Sequence, residues 1–220
     1  MQLDKPSLDV LDVDGAVREM EAAVVGDTRG DLFRKAAIGG GSLIAGSTLL
    51  AGLPALADAA PSRRQDVAIL NYALTLEYLE AAFYNQAVAN NTPKGDLLRL
   101  TRVVQAHENT HVRALRKALG RAAVASPRFD FKDTVTDPAK FLATAIVLED
   151  TGVAAYAGQG PRIFQTAVVK IALSIHSVEA RHAAAFRAQA NTTEAPRAFD
   201  RALSMRAVLK AVGDTGFIVT

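Results

Sequence analysis

Residues 107 to 111 read His-Glu-Asn-Thr-His, a spacing of residue types that suits a helix-borne metal site. In the H-E-x-x-H pattern of zinc proteases, two His one helical turn apart hold a single Zn²⁺, and the Glu between them acts as general base on the bound water. That chemistry would occupy His107, Glu108 and His111. It leaves Glu77, Glu149, Glu179 and His182 without a task, although all four recur in the same sequence register.

The register is a repeat. LTLEYLEAAFY (74–84) aligns with IVLEDTGVAAY (146–156), setting Glu77 against Glu149 and Tyr84 against Tyr156 at an offset of 72 residues. HENTH aligns with VEARH (178–182) at an offset of 71, setting Glu108 against Glu179 and His111 against His182. His107 falls opposite Val178, so the repeated unit is E-x-x-H and not the protease pattern. All four His lie at 107, 111, 176 and 182, and there is no Cys. Disulfides, thiolate nucleophiles and Cys-based clusters are therefore excluded, and a metal site must be built from His and carboxylates. The net charge of +2 comes from interspersed acids and bases, with no basic cluster interleaved with aromatics, which argues against a nucleic-acid partner.

Helices must position these residues. From Arg63 onward apolar residues recur every three or four positions in a chain rich in Ala, Leu, Arg and Glu. The pattern predicts a helix over 63–90, stopping at NNTP, and a second beginning near Pro93, with Thr92 as N-cap, and ending at Gly120. A third follows Thr136-Asp137-Pro138 and ends near Gly158, and a fourth follows Gly160-Pro161 and runs to about Ala190. A weaker helical pattern covers 194–212, and the terminal GFIV is expected to pack on the body. Short connections join antiparallel neighbours, so helices one and two form one hairpin and three and four another. The 17-residue linker 121–137 spans about 56 Å if extended, against about 36 Å for a helix of ~24 residues. It is long enough to cross the whole bundle.

Each of Glu77, Glu108, His111, Glu149, Glu179 and His182 interrupts an apolar stripe at helical spacing, so all six are expected to face the core. Four unpaired carboxylates there would cost several kcal/mol each in desolvation, which the marginal stability of one domain does not carry. Two divalent cations would balance them and leave the two imidazoles as neutral ligands. The alternative is a loosely packed core holding protons or water. One Glu from each of two helices and E-x-x-H from each of the others is the pattern of di-iron and di-manganese carboxylate sites. Such ligands favour Fe or Mn, though Zn would bind too.

Other residues have plainer readings beside functional ones. Glu80 is a rival to Glu77, disfavoured because the repeat places Gly152 opposite it. Tyr84 and Tyr156, each two turns from a Glu, are candidates for hydrogen-bond donors or radical sites, against core tyrosines with satisfied hydroxyls. His107 and His176 flank the E-x-x-H pairs and read as solvated or hydrogen-bonded neighbours. Asp150 faces about 100° away from Glu149, towards at most a His on a neighbouring helix.

With these motifs in place, the chain resembles the ferritin-like superfamily. Within it, the resemblance is to exported ferritin-like domain proteins related to desiccation-associated proteins, through LNYALTLEYLEAAFY, HENTH, FLATAIVLEDTGVAAY and SIHSVEARHAAAFR. It implies an all-α fold: a ferritin-like four-helix bundle of two hairpins joined by a long crossover, with a short C-terminal helix. It implies bridging ligands at Glu108 and Glu179, terminal ligands at Glu77 and Glu149, and imidazoles from His111 and His182. The implied cofactor is two Fe or Mn ions. The implied activity is oxidation of Fe(II), or reaction with O₂ or peroxide, in stress protection, with catalase-like chemistry if the metal is Mn. Against it stands a non-catalytic structural or desiccation-stress protein with a structural or vestigial metal site. Metal ions and O₂ or peroxide are the expected partners, and a homo-oligomer is compatible with either reading.

Upstream of the domain at 61–220, residues 1–27 form an extension with seven acids against two bases, or lie ahead of a true start at Met20. Residues 28–60 contain TRGDLFRKAAIGG, similar to a twin-arginine signal with Gly30 in place of the second Arg, and an uncharged run of 22 residues at 36–57. Three readings stand: a cleaved signal ending near Ala57-Asp58-Ala59, a retained anchor, and a buried helix. The first two place the protein outside the cytoplasm, in the periplasm or cell envelope.

Overall fold

Helix α1, Arg63–Ala89, starts where the Ser62 side chain accepts the Gln65 N–H, and it is buried along most of its length. It packs against α2, Gly95–Leu119, as a hairpin. After the crossover, α3 (Pro138–Gln159) packs against α4 (Thr166–Gln189) as the second hairpin. Helix α3 starts where expected, and Asp137 caps it by accepting the N–H groups of Ala139 at 2.9 Å and Lys140 at 3.0 Å, with Pro138 at the first helical position, where its missing N–H costs nothing. The hairpins meet through α1 against α3 and α2 against α4. This is a computed structural model, and it describes residues 61–219. The acidic leader and the signal-like segment at 28–60 lie outside the described residues.

Two apolar clusters fill the ends of the bundle. One joins the C-terminal half of α1, the start of α2, the first half of α3 and the end of α4, through Phe83, Tyr84, Val104, Phe141, Leu148 and Phe186. The other joins the opposite halves, through Leu70, Leu74, Leu115, Tyr156, Val168 and Ile175. This pairing of helix ends makes α2 and α3 parallel, so their connection must travel the length of the bundle. It does so along α1. Near one end Asn71 donates to the Ala122 carbonyl and accepts the Val124 N–H, both at 2.9 Å. Near the other, Phe131 packs edge-on to Phe83 at 5.4 Å between ring centroids. Asp66, fully buried in the first turn of α1, accepts the N–H groups of Phe164 and Gln165 at 2.8 and 2.9 Å and so ties the first hairpin to the second.

Two local expectations shift. Helix α2 begins at Gly95 and not at Pro93, because the Thr92 hydroxyl, expected to cap it, donates instead to the Val135 carbonyl of the crossover. The last helix, α5, covers Met205–Thr215 instead of 194–212, starting where Ser204 accepts the Ala207 N–H at 3.2 Å. Before it the chain crosses α3 so closely that a Cβ on Gly158 would lie 1.9 Å from the Leu203 carbonyl oxygen. The terminal stretch does pack on the body. Ile218–Val219 (β2) pairs antiparallel with Arg128–Phe129 (β1) of the crossover, and Phe217 joins the first apolar cluster.

Candidate metal centre

Between the two apolar ends lies a polar layer. Glu77, Glu108, Glu149 and Glu179 are each 0% exposed, with His111 and His182 at 9% and 5%, so all six residues picked from the repeat are brought together in the core. Their donor atoms form two converging groups: Glu77, Glu108, His111 and Glu179 in one, Glu108, Glu149, Glu179 and His182 in the other. Glu108 and Glu179 belong to both.

The oxygen atoms sort by role. Glu108 turns Oε2 to His111 Nδ1 and Oε1 to His182 Nδ1, each at 3.1 Å. Glu179 likewise puts Oε1 at 2.9 Å from His111 Nδ1 and Oε2 at 3.2 Å from His182 Nδ1. The other two serve one side each: Glu77 Oε2 lies 3.2 Å from His111 Nδ1, and Glu149 Oε2 lies 3.1 Å from His182 Nδ1. Their second oxygens are held by tyrosines of the opposite hairpin. Tyr156 of α3 donates to Glu77 Oε1 at 2.6 Å, and Tyr84 of α1 donates to Glu149 Oε1. The repeat thus becomes a cross-brace. The Tyr84 ring is set by stacking on Phe186 at 5.7 Å and by the edges of Phe83 and Phe141.

A hydrogen-bond network does not account for this geometry. Each Nδ1 faces oxygens of three carboxylates but carries at most one proton, and Glu77 Oε2, Glu108 Oε1 and Glu179 Oε1 are buried with no hydrogen-bond donor. All three of these oxygens face the middle of the cluster. Ligands about 2.1 Å from a common ion and at right angles to each other are about 3.0 Å apart, which matches the 2.9–3.2 Å seen around each imidazole. The donor set therefore fits a metal–carboxylate site.

Electrostatics give the same picture. Burial, reinforced by neighbouring acids, pushes the carboxyls of Glu77 and Glu149 well above the usual range, against the pull of the imidazoles. Burial pushes the imidazoles down, but the surrounding carboxylates outweigh it and raise His111 to about 12 and His182 to about 11. Burial would raise Glu179 too, yet its bonds to both His bring it down to about 2. Without cations, protons must fill the centre. Burial first, and then the facing Glu149 or Glu77, raises Tyr84 and Tyr156, which keeps both phenols protonated as donors.

Three neighbours complete the surroundings, and of these only Asp150 departs from expectation. His107 is the hydrogen-bonded neighbour that its position allows: its Nδ1 lies 2.9 Å from His182 Nε2, on the side of the ring away from the carboxylates. Antiparallel α2 and α4 bring the residue before Glu108 level with the one three after Glu179, a juxtaposition that the broken repeat concealed. Asp150 pairs with Arg187 and not with a His. Glu80 is 3% exposed and sits against Gly152, although neither donor group includes it. His176 stands apart, 4.0 Å from Asp200.

A four-helix bundle of two hairpins with a buried acid and imidazole layer compatible with metal defines the ferritin-like class. The family model described as a ferritin-like domain matches residues 65–192, α1 through α4, and the chain belongs to that family. Among curated proteins none matches it.

Proposed function

We propose that this protein holds two iron or manganese ions and uses them to oxidise Fe(II) or to react with O₂ or peroxide. The observation that carries this reading is the division of oxygens: Glu108 and Glu179 each give one oxygen to each imidazole side, while Glu77 and Glu149 each give one oxygen to a single side. Glu108 and Glu179 would bridge. Glu77 with His111, and Glu149 with His182, would complete the two ends. When bound, such a pair supplies electrons to an oxidant.

The chain's own part is placement and exclusion. Tyr156 and Tyr84 each hold the outer oxygen of a terminal Glu, which leaves the inner oxygen fixed towards the centre. The apolar clusters on both sides keep water out and keep the charges strongly coupled to the ions. This same closure favours a second reading, a non-catalytic protein in which the ions only hold the hairpins together. Aerobic addition of Fe(II) to metal-free full-length chain separates them. The first reading predicts a ferric absorbance that grows with time and is lost in Glu108→Gln. Two ions bound without oxidation would support the second.

A further inference from the structure

A cavity adjoins the acid layer on the side of the second apolar cluster. All four helices of the bundle wall it, among them Leu70 and Leu76 of α1, Leu115 of α2, Tyr156 of α3 and Ala172 of α4. Its volume is about 10 Å³, room for one water-sized molecule. No residue of the wall is more than 9% exposed, and the most exposed, Ile163, sits in the turn between α3 and α4. Leu76 is the neighbour of Glu77 in the chain, and Leu115 stands one helical turn past His111, about 6 Å along the axis. Tyr156 belongs to both places, a wall residue whose hydroxyl donates to Glu77 Oε1 at 2.6 Å.

The wall decides what can stay there, and it is almost wholly carbon. Two of its residues carry buried polar atoms without a hydrogen-bond partner, the Tyr72 hydroxyl and Gln159 Oε1, but these add almost nothing to the surface an occupant would touch. A buried water is held by about two to four polar partners, which this wall does not offer. Hydrogen peroxide carries two O–H groups and would leave them unpaired at a cost. An apolar diatomic gives up little hydration and gains dispersion contacts that an empty cavity forfeits. Of O₂ and peroxide, only O₂ has this chemistry.

Resting on the redox reading above, we propose that this cavity is a binding site for dioxygen, holding the gas against Tyr156 beside the centre and favouring O₂ over peroxide as the oxidant. The closure of the bundle thereby becomes selective. Its apolar ends shut out molecules that need hydrogen bonds and leave a place for one that needs none.

The test is methyl NMR of metal-free full-length chain under O₂ pressure, because the paramagnetic gas shifts and broadens the signals it touches. The methyls of Leu70, Leu76 and Leu115 are expected to respond more than those of Val104 and Leu148, which are buried as deeply towards the other end. Ala172→Val, which fills the cavity, is expected to abolish that difference, to slow Fe(II) oxidation by O₂ and to leave oxidation by hydrogen peroxide unchanged. Should this variant fail to fold, Ile163→Val widens the same space and is expected to enlarge the local response. An even response at both ends overturns the proposal, as do water-to-methyl contacts at the cavity with no response to O₂. Equal slowing with both oxidants in Ala172→Val, or slowing with neither, overturns it too. Wild-type chain that oxidises no Fe(II) with either oxidant would instead overturn the redox reading, and the NMR response then decides the binding site by itself.

Discussion

Replacing Tyr156 with Phe removes one oxygen atom and isolates the cross-brace. The hydroxyl donates to Glu77 Oε1 at 2.6 Å, in a layer where Glu77 is fully buried. With ions bound, Glu77 is a carboxylate and the bond is charge-assisted, worth about 1.5–3 kcal/mol. For a chain of this size a loss of that order lowers Tm by roughly 3–12 °C. Without ions the raised Glu77 carboxyl holds a proton, the bond is neutral, and the loss falls to about 0.5–1.5 kcal/mol. Tyr84→Phe should behave alike through Glu149. Differential scanning calorimetry on metal-loaded and metal-free samples reads both values. A loss equal in the two forms, or absent from the loaded one, would refute the claim that the tyrosines hold ionised terminal ligands.

Other consequences follow from the same geometry. His107→Ala should weaken metal binding by about tenfold or more, because His182 loses the partner that fixes its Nε2 and turns Nδ1 to the carboxylates. His107→Gln, which keeps an acceptor, should recover much of it in the same titration. In metal-free protein, Glu77, Glu80, Glu149, His111 and His182 all have folded pKa values above their ordinary ones. Their contribution to stability is complete below the ordinary values of 4.5 and 6.5 and is lost as pH rises through the raised ones, up to about 12 for His111. Glu179, lowered to about 2, acts oppositely but only below 4.5. Urea unfolding should therefore show metal-free protein weakening steadily from acid to alkaline pH. Metal uptake should release protons, measurable by calorimetry in buffers of different ionisation enthalpy. If 28–60 is an export signal, intact-mass analysis of protein recovered outside the cytoplasm should find a chain starting near Ala60, and a chain starting at Met1 would end that reading.

The bundle and its six central residues could be read from the sequence because each rests on local periodicity reinforced by the repeat. Helical spacing put Glu77, Glu108, Glu149 and Glu179 on core faces, and the length of 121–137 allowed a full crossover. What could not be read depends on contacts between distant segments. Thr92 looks like a helix cap until Val135 arrives from 43 residues away. His107 looks redundant until α4 lies alongside it, and Asp150 finds Arg187 across the same hairpin. Tyr84 and Tyr156 could be placed near the site, but the exchange by which each serves the other hairpin's Glu needs the packed helices. In sequence Glu80 reads as a rival to Glu77; both are buried, because Gly152 leaves room. The repeat revealed the symmetric part of the centre and concealed the asymmetric part.

The proposed function requires the buried layer to hold two ions bridged by Glu108 and Glu179. Elemental analysis of protein purified from a host with balanced native metal supply tests it most directly. Two iron or manganese ions per chain are expected, with strongly reduced metal in Glu108→Gln that still folds by circular dichroism. Wild-type chain free of metal, or metal content unchanged in Glu108→Gln, would contradict it.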